Sequence, residues 1–204
     1  MTGGNEKMLV GVLGAGAVGT AFASRLVAGG HQVVLSNSRG PESLADKVRA
    51  LGPGASAGTL AEAARAELVV LAVPGDRVAD ALAGLPDWGG RVLVDATNDF
   101  TAPPLVPGAT TSSEKVAGLA PGARVIKALN HLFASNLGAD PRRPEGNRVL
   151  FFSGDDDAAK KEFGELLSGL GYAPVDLGRL AEGGRLHQFP GGPLTGMDLV
   201  RLPD

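Results

Sequence analysis

The chain has 204 residues, of which 44% are hydrophobic and 20% are charged, and its formal net charge is −3. This composition is ordinary for a globular domain, and the weak negative charge predicts that the chain binds neither nucleic acid nor an anionic membrane surface. The absence of cysteine excludes disulfides, thiolate nucleophiles and thiolate metal ligands. No His-rich metal spacing is present either, so we expect no metal site.

The first apolar stretch, residues 8–23, has two interpretations. It ends in the A-x-A pattern of a secretory signal at Ala21–Ala23. However, it contains four glycines, and its only flanking lysine, Lys7, lies beside Glu6. We therefore expect this stretch to belong to the folded domain and the protein to be cytoplasmic. No run is long and apolar enough to span a bilayer.

Hydrophobic periodicity predicts alternating strands and helices over the first two thirds of the chain. The predicted strands are Met8–Leu13, Gln32–Ser36, Leu68–Val73, Arg91–Asp95 and Arg124–Leu129. The predicted helices are Ala17–Ala28, Pro41–Leu51, Thr59–Ala66, Arg77–Ala83 and Lys115–Leu119, with a Pro-rich loop over residues 98–111. Because the strands are almost continuously apolar, the pattern indicates a parallel sheet covered by helices on both faces.

The composition changes after residue 138. A polar, proline-containing segment, residues 139–147, precedes a predicted strand at Arg148–Ser153, a helix at Asp155–Leu167 and a strand at Ala173–Leu177. The glycine-rich tail at residues 183–194 is predicted to be a loop. We therefore expect a larger domain over residues 7–138 and a small C-terminal α/β unit over residues 139–204 that caps a substrate.

A glycine motif lies between the first predicted strand and the first predicted helix. Gly14, Gly16 and Gly19 form G-x-G-x-x-G, which in this context is typical of a Rossmann-type, doubly wound sheet that binds a dinucleotide. Gly14 permits the tight turn, Gly16 lets a pyrophosphate approach the backbone, and Gly19 lets the helix pack closely on the strand. The helix N-terminus offers free N–H groups to the phosphates. The candidate cofactor-binding residues are therefore Gly14, Ala15, Gly16, Ala17, Val18 and Gly19; the alternative is a glycine turn without a ligand.

The segment after the second strand distinguishes NADP from NAD. An NAD-binding domain carries an acid at this position, which would repel the 2′-phosphate of NADP. Here the residues are Ser36, Asn37, Ser38 and Arg39. Their side chains donate hydrogen bonds, and the Arg39 guanidinium can form a charge-assisted pair with a phosphate. We therefore predict NADP as the cofactor; the alternative is that Arg39 only begins a solvated helix.

Two further strand ends are predicted to reach the cofactor, because ligands of such sheets bind beyond the carboxyl ends of the strands. Val73 and Pro74 lie at the end of the third predicted strand, and the segment Asp95–Asn98 lies at the end of the next. We expect the Asn98 amide to bind the ribose or the nicotinamide. The alternative is that these are ordinary turn residues.

The motifs together resemble those of NADPH-dependent coenzyme F420 reductases, which belong to the F420-dependent NADP oxidoreductase family. The resemblance covers residues 8 to 195. It rests on the segments GVLGAGAVG, GHQVVLSNSRGPESL, LVVLAVP, VLVDATN, VIKALN and FFSGDDDAAKKEFGELLSGLGYAPVDLGRL.

The resemblance implies reversible hydride transfer between NADPH and the deazaflavin coenzyme F420, which is the second substrate. It implies that Asn130 also binds the dinucleotide, that residues 130–133 and 186–194 line the deazaflavin pocket, and that the protein is a homodimer. Such chemistry needs the two rings held about 3–3.5 Å apart with water excluded. Two alternatives stay open: an NADPH-dependent reductase of a flavin or of a small organic C=O, C=N or C=C bond, and a non-catalytic NADP sensor.

The candidate catalytic residues are Asn130 and His131. His131 could donate a hydrogen bond or a proton to the second substrate, and the alternative is that its ring only packs. Lys127 is not predicted to act with Asn130, because the spacing of three residues on a strand does not place both side chains on one face. His187, in the tail, is a weaker candidate for holding substrate.

Overall fold

A computed structural model describes residues 7–100 and 109–203. The strands are β1 Leu9–Leu13, β2 Gln32–Ser36, β3 Ala55–Ala57, β4 Leu68–Leu71, β5 Val92–Asp95, β6 Arg124–Ala128, β7 Arg142–Arg143, β8 Gly146–Gly154, β9 Ala173–Asp176 and β10 Val200–Arg201. The α-helices are α1 Ala17–Ala28, α2 Ala45–Leu51, α3 Leu60–Ala63, α4 Val78–Leu82, α5 Ser112–Leu119, α6 Ala134–Gly138, α7 Asp157–Gly169 and α8 Gly183–His187. Single 3₁₀ turns, Pro41–Leu44 and Gly75–Arg77, precede α2 and α4.

The strands form one sheet in the order β10-β8-β6-β5-β4-β1-β2-β3. The strands from β3 through β6 all run parallel. The chain moves outward from β1 in one direction through β2 and β3, and then crosses to β4 on the other side. The carboxyl end of β1 is therefore the topological switch point, where ligands of this architecture bind. The predicted Rossmann-type, doubly wound fold is confirmed.

Helices cover both faces of the sheet, and strand residues alternate between two apolar cores. Val10 and Val12 pack with Phe22 of α1 and Phe163 of α7 on one face. Leu13 packs on the other face with residues of α3, α4 and α5 and with the buried Trp88. Because both faces are buried, polar groups reach a ligand only at the strand ends. No helix in the described ranges is long and apolar enough to cross a bilayer.

The sheet continues without a break into the C-terminal region. β8 pairs antiparallel with β6, and β9 pairs parallel with β8 after the crossover helix α7. The prediction of a purely parallel sheet therefore needs correction at this edge. The antiparallel strand is explained by the route of the chain, because β6 leads through α6 and the short β7–β8 pairing straight back along the sheet.

The remaining differences from the predicted elements are short. The structure adds β3, α6 and β10, and the tail that was predicted to be a loop contains α8. α5 begins at Ser112 rather than Lys115, because Thr111 and Glu114 form a capping box. The helix predicted from Thr59 is found as α3, where Thr59 and Glu62 form a capping box. Most of the predicted Pro-rich loop, residues 101–108, lies outside the described residues.

Candidate dinucleotide site

The glycine turn has the geometry that the motif predicts. Gly14 has a φ of +113°, and its N–H donates to the Ser36 carbonyl at 3.0 Å. A Cβ at Gly19 would lie 2.0 Å from the Gly14 carbonyl oxygen, so α1 approaches the turn as closely as glycine allows. A Cβ at Gly16 would meet nothing within 4 Å, because Gly16 faces open space. Gly14 therefore allows the turn, Gly19 allows the close packing of α1, and Gly16 leaves room for a ligand.

The N-terminus of α1 points into that open space. Gly16 is its N-cap, no side chain caps it, and no acid lies in its first turn. The first backbone N–H groups of a helix have no partner within the helix and carry the positive end of its dipole. Ala17, Val18 and Gly19 supply these groups. Their contribution to a phosphate site is through the backbone, whereas their side chains do not line the cleft described below.

The turn after β2 presents the Arg39 side chain. The Asn37 side chain holds this turn: its Oδ1 accepts the Arg39 N–H at 2.9 Å, and its Nδ2 donates to the Ser43 hydroxyl at 2.9 Å. The side chains of Ser38 and Arg39 are exposed. Among the described residues the Arg39 guanidinium makes no ion pair or hydrogen bond, so its charge is available to an anionic ligand.

The glycine turn and the Arg39 turn open into one cleft of about 660 Å³. A cleft of this size is typical of a site that binds an organic cofactor. It is lined by Gly14, Ala15, Gly16, Asn37, Ser38, Arg39, Leu60, Ala72, Val73, Pro74, Arg77, Asp80 and Ala81. The structure thus brings together the three predicted segments at the ends of β1, β2 and β4.

Ser36 is the predicted polar ligand that the structure places elsewhere. Its side chain is fully buried, and its hydroxyl donates to the Val12 carbonyl at 2.9 Å. It therefore links β2 to β1, and the prediction that it donates to the cofactor is wrong for its side chain. The reason is register: Ser36 is the last paired residue of β2, opposite Leu13, and points into the sheet rather than beyond it.

Sequence analysis missed Leu60, Arg77, Asp80 and Ala81 as lining residues. Arg77 lies in the turn that follows Pro74, and the other three come from α3 and α4. The helical positions carry no distinguishing motif, so the sequence offered no signal for them. Arg77 could have been found from its distance to Pro74, because a residue three positions beyond a parallel strand still lies at the ligand edge.

The predicted residues Asn98 and Asn130 form a pair beside this cleft. The Asn98 Nδ2 donates to the Asn130 backbone carbonyl, and the Asn130 Nδ2 donates to the Asn98 Oδ1, each at 3.2 Å. The Asn130 Nδ2 also donates to the His187 carbonyl at 2.6 Å. Gly75, next to Pro74, touches this pair, since a Cβ there would lie 2.6 Å from the Asn98 carbonyl oxygen. The pair therefore adjoins the cleft without lining it.

The backbone before Asn130 is strained. Leu129 is fully buried and has a φ of +67°. A left-handed conformation costs a non-glycine residue of this kind about 1–2 kcal/mol. Such strain persists only where the surrounding structure imposes it, and it is frequent at functional sites. Here it turns the chain at the end of β6 so that Asn130 and His131 both point inward.

His131 and His187 are buried together behind Asn130. Their ring centroids are 6.2 Å apart, and the His187 Nε2 lies 3.0 Å from the Ser153 hydroxyl. Burial lowers the pKa of His131 to about 4, against a smaller opposing effect of Asp198. Burial, with Lys127 and His131 nearby, lowers the pKa of His187 to about 2. Both rings are therefore neutral at neutral pH.

Several polar atoms of this group have no hydrogen-bond partner among the described residues. They are the Asn130 Oδ1, both ring nitrogens of His131 and the Nδ1 of His187. Buried polar atoms are almost always paired, and unpaired ones require an explanation. A neutral imidazole can donate one hydrogen bond and accept another, so both ring nitrogens of His131 have unused hydrogen-bonding capacity.

Behind the asparagine pair lies an ion pair that the sequence analysis did not predict. Lys127 is fully buried, and its Nζ lies 3.2 Å from the Asp95 Oδ2. Asp95 also accepts hydrogen bonds from the Thr97 backbone and hydroxyl and from the Ser113 hydroxyl. Lys127 was correctly separated from Asn130, but its partner on the neighbouring strand was missed.

The metal prediction can be compared with the described residues. No group of three or more histidine, cysteine, aspartate or glutamate side chains in these ranges could hold a metal ion. The described residues instead place a glycine turn, an available guanidinium and a helix N-terminus around one cleft. This arrangement suits a phosphorylated organic ligand. The fold and this cleft define the chain as a protein of the Rossmann-type, dinucleotide-binding class.

Known proteins narrow this class. The family model described as "NADP oxidoreductase coenzyme F420-dependent" matches residues 9–99. A crystal structure of a hypothetical protein from Sinorhizobium meliloti has 43% identity and a TM-score of 0.87, over 96% of each chain. A candidate F420-dependent NADP reductase from Arthrobacter sp. FB24 has 32% identity and a TM-score of 0.67, over 85% of this chain and 86% of that one.

The chain belongs to the F420-dependent NADP oxidoreductase family. It is also 32% identical over 187 residues to the metalloreductase STEAP3 of Rattus norvegicus. That match covers 91% of this chain, which spans only 37% of the length of the curated relative. The predicted family is confirmed, and with it the assignment to NADP-dependent oxidoreductases.

Proposed function

We propose that the protein transfers a hydride between NADP(H) and the deazaflavin coenzyme F420. One observation carries the proposal: the cleft joins the open backbone at Gly16 to the available guanidinium of Arg39. The two are placed for the pyrophosphate and the 2′-phosphate of one NADP molecule, and no carboxylate lies in the β2 turn to repel the latter. Family membership supports F420 as the second substrate.

The chain's own groups hold the dinucleotide at three strand ends. The first N–H groups of α1 bind the pyrophosphate, and Ser38 and Arg39 bind the 2′-phosphate. Val73 and Pro74 form the apolar wall that leads toward Asn98 and Asn130. When bound, NADPH supplies the hydride. The protein's task is to orient the two rings and exclude water, for which no nucleophile is needed.

Asn130 and His131 are the residues we assign to the reacting end. Because the Asn130 Nδ2 is held by Asn98 and the His187 carbonyl, its unpaired Oδ1 has a fixed direction. His131 has a pKa of about 4, so at neutral pH it is not an imidazolium acid. Its role in the proposal is to donate a hydrogen bond from a neutral ring to the substrate, without proton transfer.

A second candidate is favoured by the similarity to a metalloreductase. In this alternative the protein reduces a free flavin with NADPH, and the reduced flavin passes electrons to ferric iron. The dinucleotide cleft would be the same, and only the second substrate would differ. The non-catalytic sensor is the third candidate, with the same cleft and no acceptor.

One anaerobic experiment separates the three. The protein is mixed with NADPH and, in parallel, with oxidised F420, FMN, or FMN plus ferric citrate, and the absorbance of each acceptor is followed. Bleaching of the deazaflavin at a rate well above that with FMN supports the proposal. Faster reduction of FMN, with iron reduced only when FMN is present, would replace it by the second candidate. Tight NADPH binding without turnover of any acceptor would favour the sensor.

The homodimer and the cytoplasmic location stay predictions. Exposed apolar side chains just before α6 and in the tail, including Phe133 at 71% and Met197 at 43% exposure, offer a surface for self-association. Sedimentation analysis of the purified protein tests the dimer, and a Phe133→Asp variant should shift it toward monomer.

A further inference from the structure

The dinucleotide cleft contains a second guanidinium, at Arg77. It lies in the turn after β4, whereas Arg39 lies in the turn after β2. Because β4 and β2 flank β1 on opposite sides, the two arginines lie on opposite sides of the glycine turn. The only other charged residue that lines the described cleft is Asp80. The question is whether Arg77 is a second phosphate ligand.

The charges around Arg77 argue against a phosphate. Its Nε lies 3.8 Å from an Asp76 carboxylate oxygen, and its Nη1 lies 3.6 Å from an Asp80 carboxylate oxygen. Two carboxylates thus surround one guanidinium, so the immediate charge is negative. A phosphate placed here would be repelled, whereas the Arg39 guanidinium has no acidic partner among the described residues. The two arginines are therefore not equivalent.

The same contacts favour another use of the Arg77 guanidinium. A guanidinium forms its hydrogen bonds in its own plane, so ion pairs at Nε and Nη1 do not require either of its faces. A free guanidinium face stacks well on an aromatic ring. Leu60 and Ala81, which also line the cleft, add apolar contact for such a ring. At 67% exposure the Arg77 side chain has room to approach a ligand.

We propose that Arg77 stacks on the adenine ring of the dinucleotide, with Asp76 and Asp80 offsetting its charge. This inference rests on the proposed binding of NADP(H) and assigns a residue to the base rather than to a phosphate. It makes Arg39 the residue that distinguishes NADPH from NADH and Arg77 a residue that binds both alike. A lysine cannot replace Arg77, because an ammonium has no planar face.

The test measures binding by isothermal titration calorimetry with four ligands: NADPH, NADH, 5′-AMP and reduced nicotinamide mononucleotide. The variants are Arg77→Ala, Arg77→Lys, Arg39→Ala and the control Arg49→Ala. Arg49 is a matched control because it is 75% exposed and pairs with Asp46 on α2, outside the lining of the cleft. All three positions are on the surface, so folding of each of the four variants is checked by its thermal unfolding.

For Arg77→Ala we expect affinity to fall by about threefold to thirtyfold for NADPH, NADH and AMP alike. Affinity for the mononucleotide, which lacks adenine, should not change. Arg77→Lys should lose as much as Arg77→Ala, and Arg49→Ala should match the wild type for every ligand.

Three outcomes would overturn the inference. A loss confined to NADPH would make Arg77 a phosphate ligand, an unchanged affinity would remove it from the site, and recovery by lysine would show that only its charge matters. In each of these the wild type still binds NADPH and the proposed function stands. If the wild type binds NADPH no better than the mononucleotide, the proposed function and this inference both fail.

Discussion

The Nζ of Lys127 lies 3.2 Å from the Oδ2 of Asp95, and the sheet register places the two residues directly opposite each other on β6 and β5. Both side chains are buried, with at most 1% of either exposed. The pair stands at the carboxyl edge of the sheet, just before Asn98 and Asn130 leave their strands. It therefore anchors the two segments that present the asparagine pair.

Removing one partner of this ion pair should destabilise the protein strongly. Lys127→Met leaves the Asp95 carboxylate buried without a cation, which costs about 3–5 kcal/mol of unfolding free energy. The measurement is urea unfolding at neutral pH. The double variant Lys127→Met with Asp95→Asn should lose clearly less than the sum of the two single variants, since it removes the unpaired charge. Additive losses would show that the two groups do not interact.

The glycine motif yields a pair of substitutions with opposite consequences. Gly16→Ala should leave stability unchanged, because nothing lies within 4 Å of the added methyl group. It should weaken NADPH binding by about tenfold to hundredfold, because the methyl group displaces the pyrophosphate at a cost of about 1–3 kcal/mol. The checks are thermal unfolding and a fluorescence titration with NADPH.

Gly19→Ala should act on the stability of the fold first, and on NADPH binding only as a consequence. Its Cβ would lie 2.0 Å from the Gly14 carbonyl oxygen, so α1 must shift and the free energy of unfolding should fall by about 1–3 kcal/mol or more. Any loss of NADPH binding should then accompany the loss of stability. Normal stability in Gly19→Ala, or lost stability in Gly16→Ala, would contradict the assigned roles.

Acidification should destabilise the protein before its carboxylates titrate. His131 has a native pKa of about 4 and an unfolded pKa near 6.5. In this interval the unfolded state binds a proton that the native state does not, so stability falls as the pH falls from 6.5 toward 4. The slope is about 1.4 kcal/mol per pH unit for each such histidine. His187 adds to the same slope, since its pKa is lowered further.

Urea unfolding at a series of pH values measures this slope. A His131→Gln variant should show a slope that is smaller by about one histidine's share, whatever its stability at neutral pH. An unchanged slope would mean that the native pKa of His131 is close to its unfolded value, so that the ring gains a proton below about pH 6.5. In that case the ring could act as an acid, which would also change the role we assign to it.

The sequence predicted the parts of the fold that local patterns determine. The apolar runs of β1, β2, β4, β5 and β6 are long enough to identify as buried strands, and the helix predicted to begin at Thr59 is found as α3. The elements that were missed, such as β3 and β10, have two or three residues and form only because a neighbouring strand offers hydrogen-bond partners. A sheet edge of this kind has no signature within its own sequence.

The parts of the site that a local motif determines were predicted, and the parts that depend on strand register were not. Gly14, Gly16 and Arg39 follow from a motif whose spacing is set by a single turn. The direction of the Ser36 side chain depends on the register between β1 and β2, and the partnership of Asp95 with Lys127 depends on the register between β5 and β6. Register is a tertiary property, so neither could be read from spacing along the chain. The unpaired atoms of His131 depend on the tail that packs over them.

The most direct test of the account is the affinity of the wild type and of Arg39→Ala for NADPH and NADH, measured under one set of conditions. A charge-assisted hydrogen bond contributes about 1.5–3 kcal/mol, so Arg39→Ala should weaken NADPH binding by about tenfold to hundredfold and leave NADH binding nearly unchanged. The wild type should prefer NADPH by a similar factor. Equal losses for both dinucleotides, or a wild type that does not distinguish them, would contradict the assignment of the cleft to NADP.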